Sequence, residues 1–298
     1  MQRMRNVSAL LAVVAGIAAA PAFAQGPPPP PPIPPQALDQ LVARIALYPD
    51  PLLAQVMAAA TYPNDIPAAA QWADQHHYLT GQALASAIQG DQLPWDPSVQ
   101  ALLPFPSVLD MMNGDMGWTT QLGNAFLAQQ QDVMDAVQRQ RGIAQRYGYL
   151  RSNGQIAVSG GPYIAITPID PGYLVVPYYD PGIVFFPPRP GFAIGLGIRF
   201  GYGITLGGFF GPWGWGPGAI RFDWGGHGVF INNARWGRTW ANRATYVHPY
   251  AAIRRPAPGF ARPAEAHRVE PRSAPERQAA REGRAAPREE HGGGERRR

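Results

Sequence analysis

Cysteine and lysine are absent from this sequence, and glutamate is confined to its last part. The absence of cysteine excludes several classes of site. Cysteine is absent from the 298 residues, which excludes disulfides, thiol nucleophiles and cysteine-ligated zinc. Lysine is absent too, so all 25 basic residues are arginine, and glutamate occurs only after residue 250. No Gly-x-Ser-x-Gly elbow, phosphate loop, His-Glu-x-x-His motif or Gly-x-Gly-x-x-Gly fingerprint is present. No motif therefore identifies a catalytic residue, and no cofactor is expected.

The first 24 residues have the three parts of a secretory signal peptide. Arg3 and Arg5 give a positive start, residues 7–20 form an apolar run, and Ala22-Phe23-Ala24 is a small-x-small cleavage site. The apolar run is shorter than the roughly 20 residues that a membrane-spanning helix needs. We therefore expect cleavage after Ala24 and an exported chain in the periplasm or cell envelope.

The segments at the two ends of the mature chain are predicted to lack a core. Residues 25–35 are nearly all proline, which favours a stiff polyproline II linker, with a ligand for a recognition domain as the alternative. Residues 251–298 combine twelve arginines with seven glutamates and few apolar residues, which predicts a disordered, solvated tail. The alternative ligands of this tail are anionic envelope polymers or lipid phosphates. Nucleic acid is not expected, because the chain is predicted to be exported.

Residues 36–150 are predicted to form a helical domain. An apolar stripe with helical spacing begins at Leu38. Asp-Pro pairs at Asp50 and Asp96 predict helix starts, because aspartate is a good N-cap and proline is tolerated at the first helical position. Residues 115–147 continue a single apolar stripe, so we expect one long helix there.

Four strings in this part of the chain are long enough to be specific. They are IALYPDPLLAQV at 45–56, PWDPSV at 94–99, FLAQQ at 126–130 and VVPYYDP at 175–181. With these strings, residues 36–186 resemble a bacterial family catalogued as domain-of-unknown-function family 3300. The resemblance implies an exported envelope protein, sometimes membrane-associated, and it supplies no activity, cofactor or catalytic residue.

Residues 151–250 are predicted to be rich in β-structure, which makes the fold class α+β. Short β-branched or aromatic runs at 156–158, 163–167, 173–176 and 183–186 alternate with Gly-Gly-Pro and Asp-Pro-Gly turns. This alternation predicts a small antiparallel sheet.

The stretch from residue 192 to 207 has the strictest pattern in the chain. Bulky apolar residues occupy every even position, and most odd positions are glycine. A period of two favours a strand or hairpin with one bare face, which would permit close approach of another backbone or ring. The alternatives are insertion of residues 192–211 into a membrane and disorder.

Aromatic residues are dense between positions 209 and 224, where glycine and proline separate them. The preferred interpretation is that these rings form the missing core over the bare glycine face. The alternative is that exposed tryptophans stack on sugar rings or lie at a lipid headgroup layer.

Asp223 and His227 flank Trp224-Gly225-Gly226 in a predicted loop and could form an acid–base pair or bind a metal. A third partner is not visible, and His248 is the nearest candidate. The signal is weak, because two residues without a motif are common in loops.

His76 and His77 are adjacent on a predicted helix and therefore point about 100° apart, so they cannot chelate one ion as a pair. Asp74 lies three residues before His77 and could share a helix face with it. Two ligands do not make a metal site, so no metal is expected here.

From these observations we expect a non-catalytic structural or interaction protein of the periplasm or envelope. Its partners would be envelope polymers, anionic lipid or envelope proteins, bound through the helical surface and the aromatic, glycine-rich region. One alternative is a membrane-inserted assembly through residues 192–211. The other is an envelope hydrolase that uses Asp223 and His227. The sequence does not indicate an oligomeric state.

Overall fold

A computed structural model describes residues 27–248, apart from residues 189, 192–194 and 196. The predicted signal peptide at 1–24 and the predicted tail at 251–298 lie outside the described residues, as does part of the 192–207 stretch. The fold class is α+β, as predicted.

Most of the first half of the described chain is helical. The helices are α1 (Pro35–Val42), α2 (Asp50–Ala60), α3 (Ile66–Gln75), α4 (Gly81–Gly90), α5 (Pro97–Gln100), α6 (Pro106–Gly114), α7 (Met116–Ala128) and α8 (Gln130–Arg146). Five of the eight, namely α1, α2, α3, α5 and α6, have proline at one of their first two positions. The helix starts predicted from the Asp-Pro pairs at Asp50 and Asp96 are among them. α2 lies at the centre, because every residue from 52 to 60 is buried.

The predicted long helix over residues 115–147 is wrong in one respect, because it is divided into α7 and α8. The break is at Gln129, whose backbone angles are φ −144° and ψ 53°. The side-chain amide of Gln129 accepts a hydrogen bond from Ile33 N at 2.8 Å and donates one to Ile33 O at 3.2 Å. The proline segment at 27–34 is therefore docked on the helices at Ile33.

The second half of the described chain contains short antiparallel strands in four separate sheets. These strands are β1 (Ile156–Val158), β2 (Ile166–Pro168), β3 (Tyr173–Leu174), β4 (Pro177–Tyr179), β5 (Ile198–Phe200), β6 (Ile204–Thr205), β7 (Arg221–Asp223), β8 (Gly228–Ile231) and β9 (Ala234–Arg235). The pairs are β1–β2, β3–β6, β4–β5 and the three-stranded β7–β8–β9. The strand predicted at 183–186 is wrong: Pro181–Val184 form a short helix, α9, which Asp180 caps through Gly182 N.

The favoured strand interpretation of residues 192–207 is confirmed where the chain is described, in β5 and β6. The bare glycine positions also allow the predicted close approach. The Tyr173 ring lies where a Cβ atom at Gly203 would be, and Gly203 N donates to the Tyr173 hydroxyl at 2.8 Å. Tyr178 lies against Gly201 in the same way.

One continuous core contains side chains from both halves of the described chain. The core interpretation of the aromatic stretch is confirmed for Phe210, Trp213, Trp215 and Trp224, which are all buried. Trp213 Nε1 donates to Gln100 Oε1 and Trp215 Nε1 donates to Ala101 O, both at 2.9 Å. Each indole N–H is thereby satisfied by the helical half.

Candidate functional site

Arg141 and Asp50 form the most buried ion pair in the described part of the chain. Arg141 Nη1 lies 2.6 Å from Asp50 Oδ1, and the guanidinium also donates to the carbonyls of Ala46, Tyr48 and Ile164. The second oxygen of Asp50 accepts from Trp224 Nε1 at 3.2 Å. Asp50 was predicted to be an N-cap, but it is the first residue of α2 and its carboxylate serves this pair. The cluster joins α2, α8, β2 and the aromatic stretch, so it is structural.

A second buried cluster centres on Asp96 and His248. His248 Nε2 lies 2.8 Å from Asp96 Oδ2, and Ser98 N and Oγ both donate to Asp96 Oδ1. Burial raises the pKa of Asp96, but hydrogen bonds from His248 and Ser98 outweigh burial, and the pKa lies below its ordinary value. Asp96 also caps α5, as predicted. The ring nitrogen Nε2 of His248 therefore binds Asp96, and not Asp223 or His227.

Arg238 completes this second cluster. Its guanidinium donates to Thr61 O and Thr61 Oγ1 and lies 3.6 Å from the centre of the Tyr62 ring. Burial lowers the pKa of Arg238, while it raises that of Tyr62. The cluster fastens the last described segment, up to His248, to the helical half. Asp96 and His248 are both more than nine-tenths buried, so this ion pair lies inside the protein rather than at its surface.

Asp223 is the last residue of β7 and His227 lies in the turn before β8, but their described contacts are with other residues. Asp223 Oδ1 accepts from Gly226 N at 2.9 Å. His227 Nε2 lies 2.9 Å from Asp135 Oδ1 on α8, and His227 O accepts from Gln130 Nε2. The side-chain partner of His227 is thus Asp135, which sequence reasoning missed because 92 residues separate the two. The hydrolase hypothesis stays a prediction, tested by replacing Asp223 and His227 with alanine.

His76 and His77 lie at the end of α3, and both rings bind backbone carbonyls. His76 Nδ1 is 2.8 Å from Trp72 O, and His77 Nδ1 is 2.5 Å from Asp74 O. A carbonyl only accepts, so each Nδ1 carries a proton, and Nε2 of each neutral ring is an acceptor. Within the part of the chain that the structure describes, no three potential metal ligands are grouped.

These two histidines line an open cleft with a volume of about 400 Å³. One wall is the α3–α4 connection within residues 73–84, the second is the segment 103–106, and the third is formed by residues 203–205 with Phe210. The cleft therefore brings together three parts of the chain that are far apart in sequence. Phe210 and Leu84 are buried beneath it, which ties its floor to the core.

Three exposed aromatic rings, Tyr78, Tyr173 and Phe209, contact residues that line this cleft, and we call them the rim. They are 70%, 37% and 43% exposed. Tyr78 packs against the rings of His76 and His77, at centroid distances of 6.3 and 6.1 Å. The Tyr173 ring covers Gly203, as described above, and Phe209 lies beside Gly81.

The cleft is lined by apolar side chains and by polar groups without fixed charge. No Asp, Glu or Arg is among the described residues that line it. Its polar groups include the two imidazole rings and the hydroxyls of Thr80 and Thr205. These groups can exchange hydrogen bonds with hydroxyl or amide groups, while the rim offers ring faces for stacking. Such a cleft suits an uncharged ligand that has both apolar faces and hydroxyl groups.

Sequence reasoning missed the cleft. The sequence suggests His76 and His77 only as metal ligands, and it suggests the 203–205 segment as a strand, a membrane-inserted stretch or a disordered one. The one usable signal was the bare glycine face, which predicted that a ring could approach the backbone closely.

In the described ranges, 27–188 and 190–248 without residues 192–194 and 196, no helix combines the length and apolar character needed to cross a membrane.

Comparison with known proteins identifies the family. A family model described as a protein of unknown function, DUF3300, matches residues 34–234, which is more than half of the chain. The chain is also 36% identical over 181 residues to the uncharacterized protein YacH of Escherichia coli strain K12. This match covers 50% of the present chain but only 29% of YacH. No solved structure matches the chain. The extent of the family match shows that the chain belongs to the DUF3300 family.

Proposed function

We propose that this protein is a non-catalytic binding protein of the cell envelope and that the cleft bordered by Tyr78, Tyr173 and Phe209 holds a neutral glycan segment. The observation that carries the proposal is that three exposed aromatic rings contact the residues of a cleft whose polar groups are uncharged. Sugar rings stack their C–H faces on aromatic rings and present hydroxyls at their edges. The acceptor nitrogens of His76 and His77 suit those hydroxyls.

The absence of fixed charge in the described cleft lining favours a glycan over an anionic lipid headgroup. A phosphate ligand requires arginine, lysine or a cluster of backbone N–H groups. The arginines of the chain are concentrated instead in residues 251–298. If the protein also binds anionic lipid or polymer, we propose that this tail does so, separately from the cleft.

The test is calorimetry of the full chain with chitohexaose, a neutral oligosaccharide, and with vesicles of phosphatidylglycerol. We expect chitohexaose to bind. Tyr78→Ala should weaken its binding about five- to tenfold, because that is the affinity that stacking on one aromatic ring contributes. Tyr163→Ala is the matched control, because Tyr163 is 40% exposed and packs against Gly225 rather than against a residue that lines the cleft. Equal loss in both variants, or no binding of chitohexaose at millimolar concentration, would refute the cleft as a glycan site.

We also propose that the protein is exported, on the strength of Arg3, Arg5, the apolar run at 7–20 and the Ala22–Ala24 site. The test is fractionation of the tagged protein from its host, with a salt wash followed by an alkaline carbonate wash. We expect the protein to be released with the periplasmic fraction, and we expect its mass to match a chain that begins near Gln25. Release only by salt would assign attachment to the arginine tail. Retention through carbonate would favour membrane insertion of residues 192–211 and contradict the proposal.

A further inference from the structure

The proline segment Pro27–Pro34, which we call the strap, lies on the protein surface, and its run of prolines favours the polyproline II conformation. Pro34 has φ −61° and ψ 152°, close to the ideal values. Polyproline II repeats every three residues. Pro30 and Ile33 are half-buried whereas the other strap residues are exposed, so the strap turns one face of its three-residue repeat toward the protein.

A single side chain can set the register of the strap. Among residues 27–35, Ile33 is the only one with a backbone N–H, because all the others are proline. That N–H donates to Gln129 Oε1, and the Gln129 amide donates back to Ile33 O. Two hydrogen bonds therefore recognise Ile33, the one residue that interrupts the run of prolines. A shift of the strap by one residue would leave the acceptor of Gln129 facing a proline nitrogen.

Trp240 holds the other end of the strap. Its indole Nε1 donates to Pro27 O at 2.9 Å, six residues and two polyproline turns before Ile33. The backbone N–H of Trp240 binds Leu127 O, next to the break at Gln129, and the guanidinium of Arg243 lies 3.8 Å from the centre of its ring. A rigid, oriented indole that donates to a proline carbonyl is a feature of polyproline recognition.

We propose that Gln129 and Trp240 form a polyproline recognition site, which the strap occupies within its own chain and which also accepts the strap of a second copy. The strap is mostly exposed and is held by few hydrogen bonds, so it can be exchanged. The site is separate from the cleft, and the proposal does not rest on the proposed function. Its ligand is a run of prolines with one non-proline residue that supplies an N–H group.

The first test uses a full chain in which residues 27–34 are replaced by glycine and serine, together with a labelled synthetic peptide of residues 26–36. Fluorescence anisotropy should show that the peptide binds this variant and binds the natural chain at least tenfold more weakly, because the linked strap competes at high effective concentration. Two changes should each weaken binding about tenfold or more: Gln129→Ala in the variant, and proline in place of Ile33 in the peptide.

Gln138→Ala is the matched control, because Gln138, within α8, makes the same pair of hydrogen bonds, in its case to Ile164 N and O. It should leave peptide binding unchanged. No binding to the glycine–serine variant, equal binding of the all-proline peptide, or equal effects of the two glutamine substitutions would overturn the proposal.

The second test keeps the natural strap, so it stands even if the glycine–serine variant does not fold. A fragment covering residues 27–35 contains one backbone amide, that of Ile33, so hydrogen exchange by mass spectrometry reports this amide alone. We expect protection in the natural chain and in Gln138→Ala, and rapid exchange in Gln129→Ala. Excess free peptide should accelerate exchange in the natural chain. An amide that is unprotected in the natural chain, or one that the peptide does not affect, would overturn the proposal.

Discussion

Replacing Arg141 with methionine is expected to destabilise this protein more than any substitution on the exposed face of α8. Methionine has nearly the same helix propensity as arginine, so the helix itself is little affected. The substitution leaves the Asp50 carboxylate buried without its cation. The carbonyls of Ala46, Tyr48 and Ile164 also lose the donors that Arg141 provides.

The magnitude follows from the cost of an unpaired buried charge. Removing one partner of a buried ion pair costs about 3–5 kcal/mol. Trp224 Nε1 and Ile166 N still donate to Asp50, which keeps the value within that range rather than above it. Typical domains have only about 5–15 kcal/mol of total stability, so the loss is a large share of the whole.

Arg139→Met is the matched control, because Arg139 lies on the same helix and pairs with Asp39 at 2.7 Å near the surface. The two side chains are 41% and 24% exposed. Such a pair contributes about 1 kcal/mol or less. Urea unfolding followed by circular dichroism measures both values. The reasoning is refuted if the Arg141 variant loses less than about 1.5 kcal/mol, or no more than the Arg139 variant.

Three further predictions concern stability and the cleft. Gly123→Ala should lower the free energy of unfolding by about 3 kcal/mol, because a Cβ atom there would overlap the backbone at the end of α2. Gly142→Ala, where a Cβ atom would meet open space, should raise it by up to about 1 kcal/mol, and thermal unfolding measures both. The pKa of Asp96 is depressed in the folded state. Ionised Asp96 therefore stabilises the fold above the unfolded-state pKa of about 3.9, and this stabilisation is lost as the pH falls through the folded-state pKa. Asp96→Asn should therefore lower the free energy of unfolding at pH 7, and the free energy of the variant should fall less steeply than that of the natural chain below about pH 4. Urea titrations at several pH values measure both effects. Gly203→Ala should displace the Tyr173 ring and weaken chitohexaose binding in calorimetry, with little change in melting temperature.

Helix starts could be predicted from local sequence because their causes are local. Asp96 caps α5 through Ser98 N, two residues away, and proline sets the first turn. The break at Gln129 could not be predicted, because glutamine is a good helix former and the partner that engages its side chain, Ile33, is 96 residues away. The helix at Pro181–Val184 was missed because β-branched residues there favour a strand locally, while the Asp180 cap favours a helical turn.

The buried position of Arg141 had a signal that was overlooked. Val133, Val137 and Ala144 lie on one face of the predicted helix, and Arg141 falls on that same face, four residues after Val137. An arginine on an apolar stripe requires a buried partner. The identity of that partner, Asp50, could not be read from sequence, because its Asp-Pro context predicts an N-cap.

The cleft could not be predicted because its walls come from three distant segments. Two of the segments had a plausible local interpretation: a helix for His76 and His77, and a strand for residues 203–205. Only their tertiary packing against Phe210 and the core places imidazole rings, hydroxyls and exposed aromatic rings around one space. Functional sites built this way appear only once the chain is folded.

The most direct test of the glycan-binding proposal is nuclear magnetic resonance of the histidine rings of the full chain during titration with chitohexaose. The Nε2 signals of His76 and His77 should shift and saturate together, because both residues line the cleft. The ring signals of His227 and His248 should stay in place, because those rings are paired with Asp135 and Asp96 away from the cleft. Unchanged His76 and His77 signals at millimolar chitohexaose, or shifts at His227 or His248 instead, would contradict the proposal.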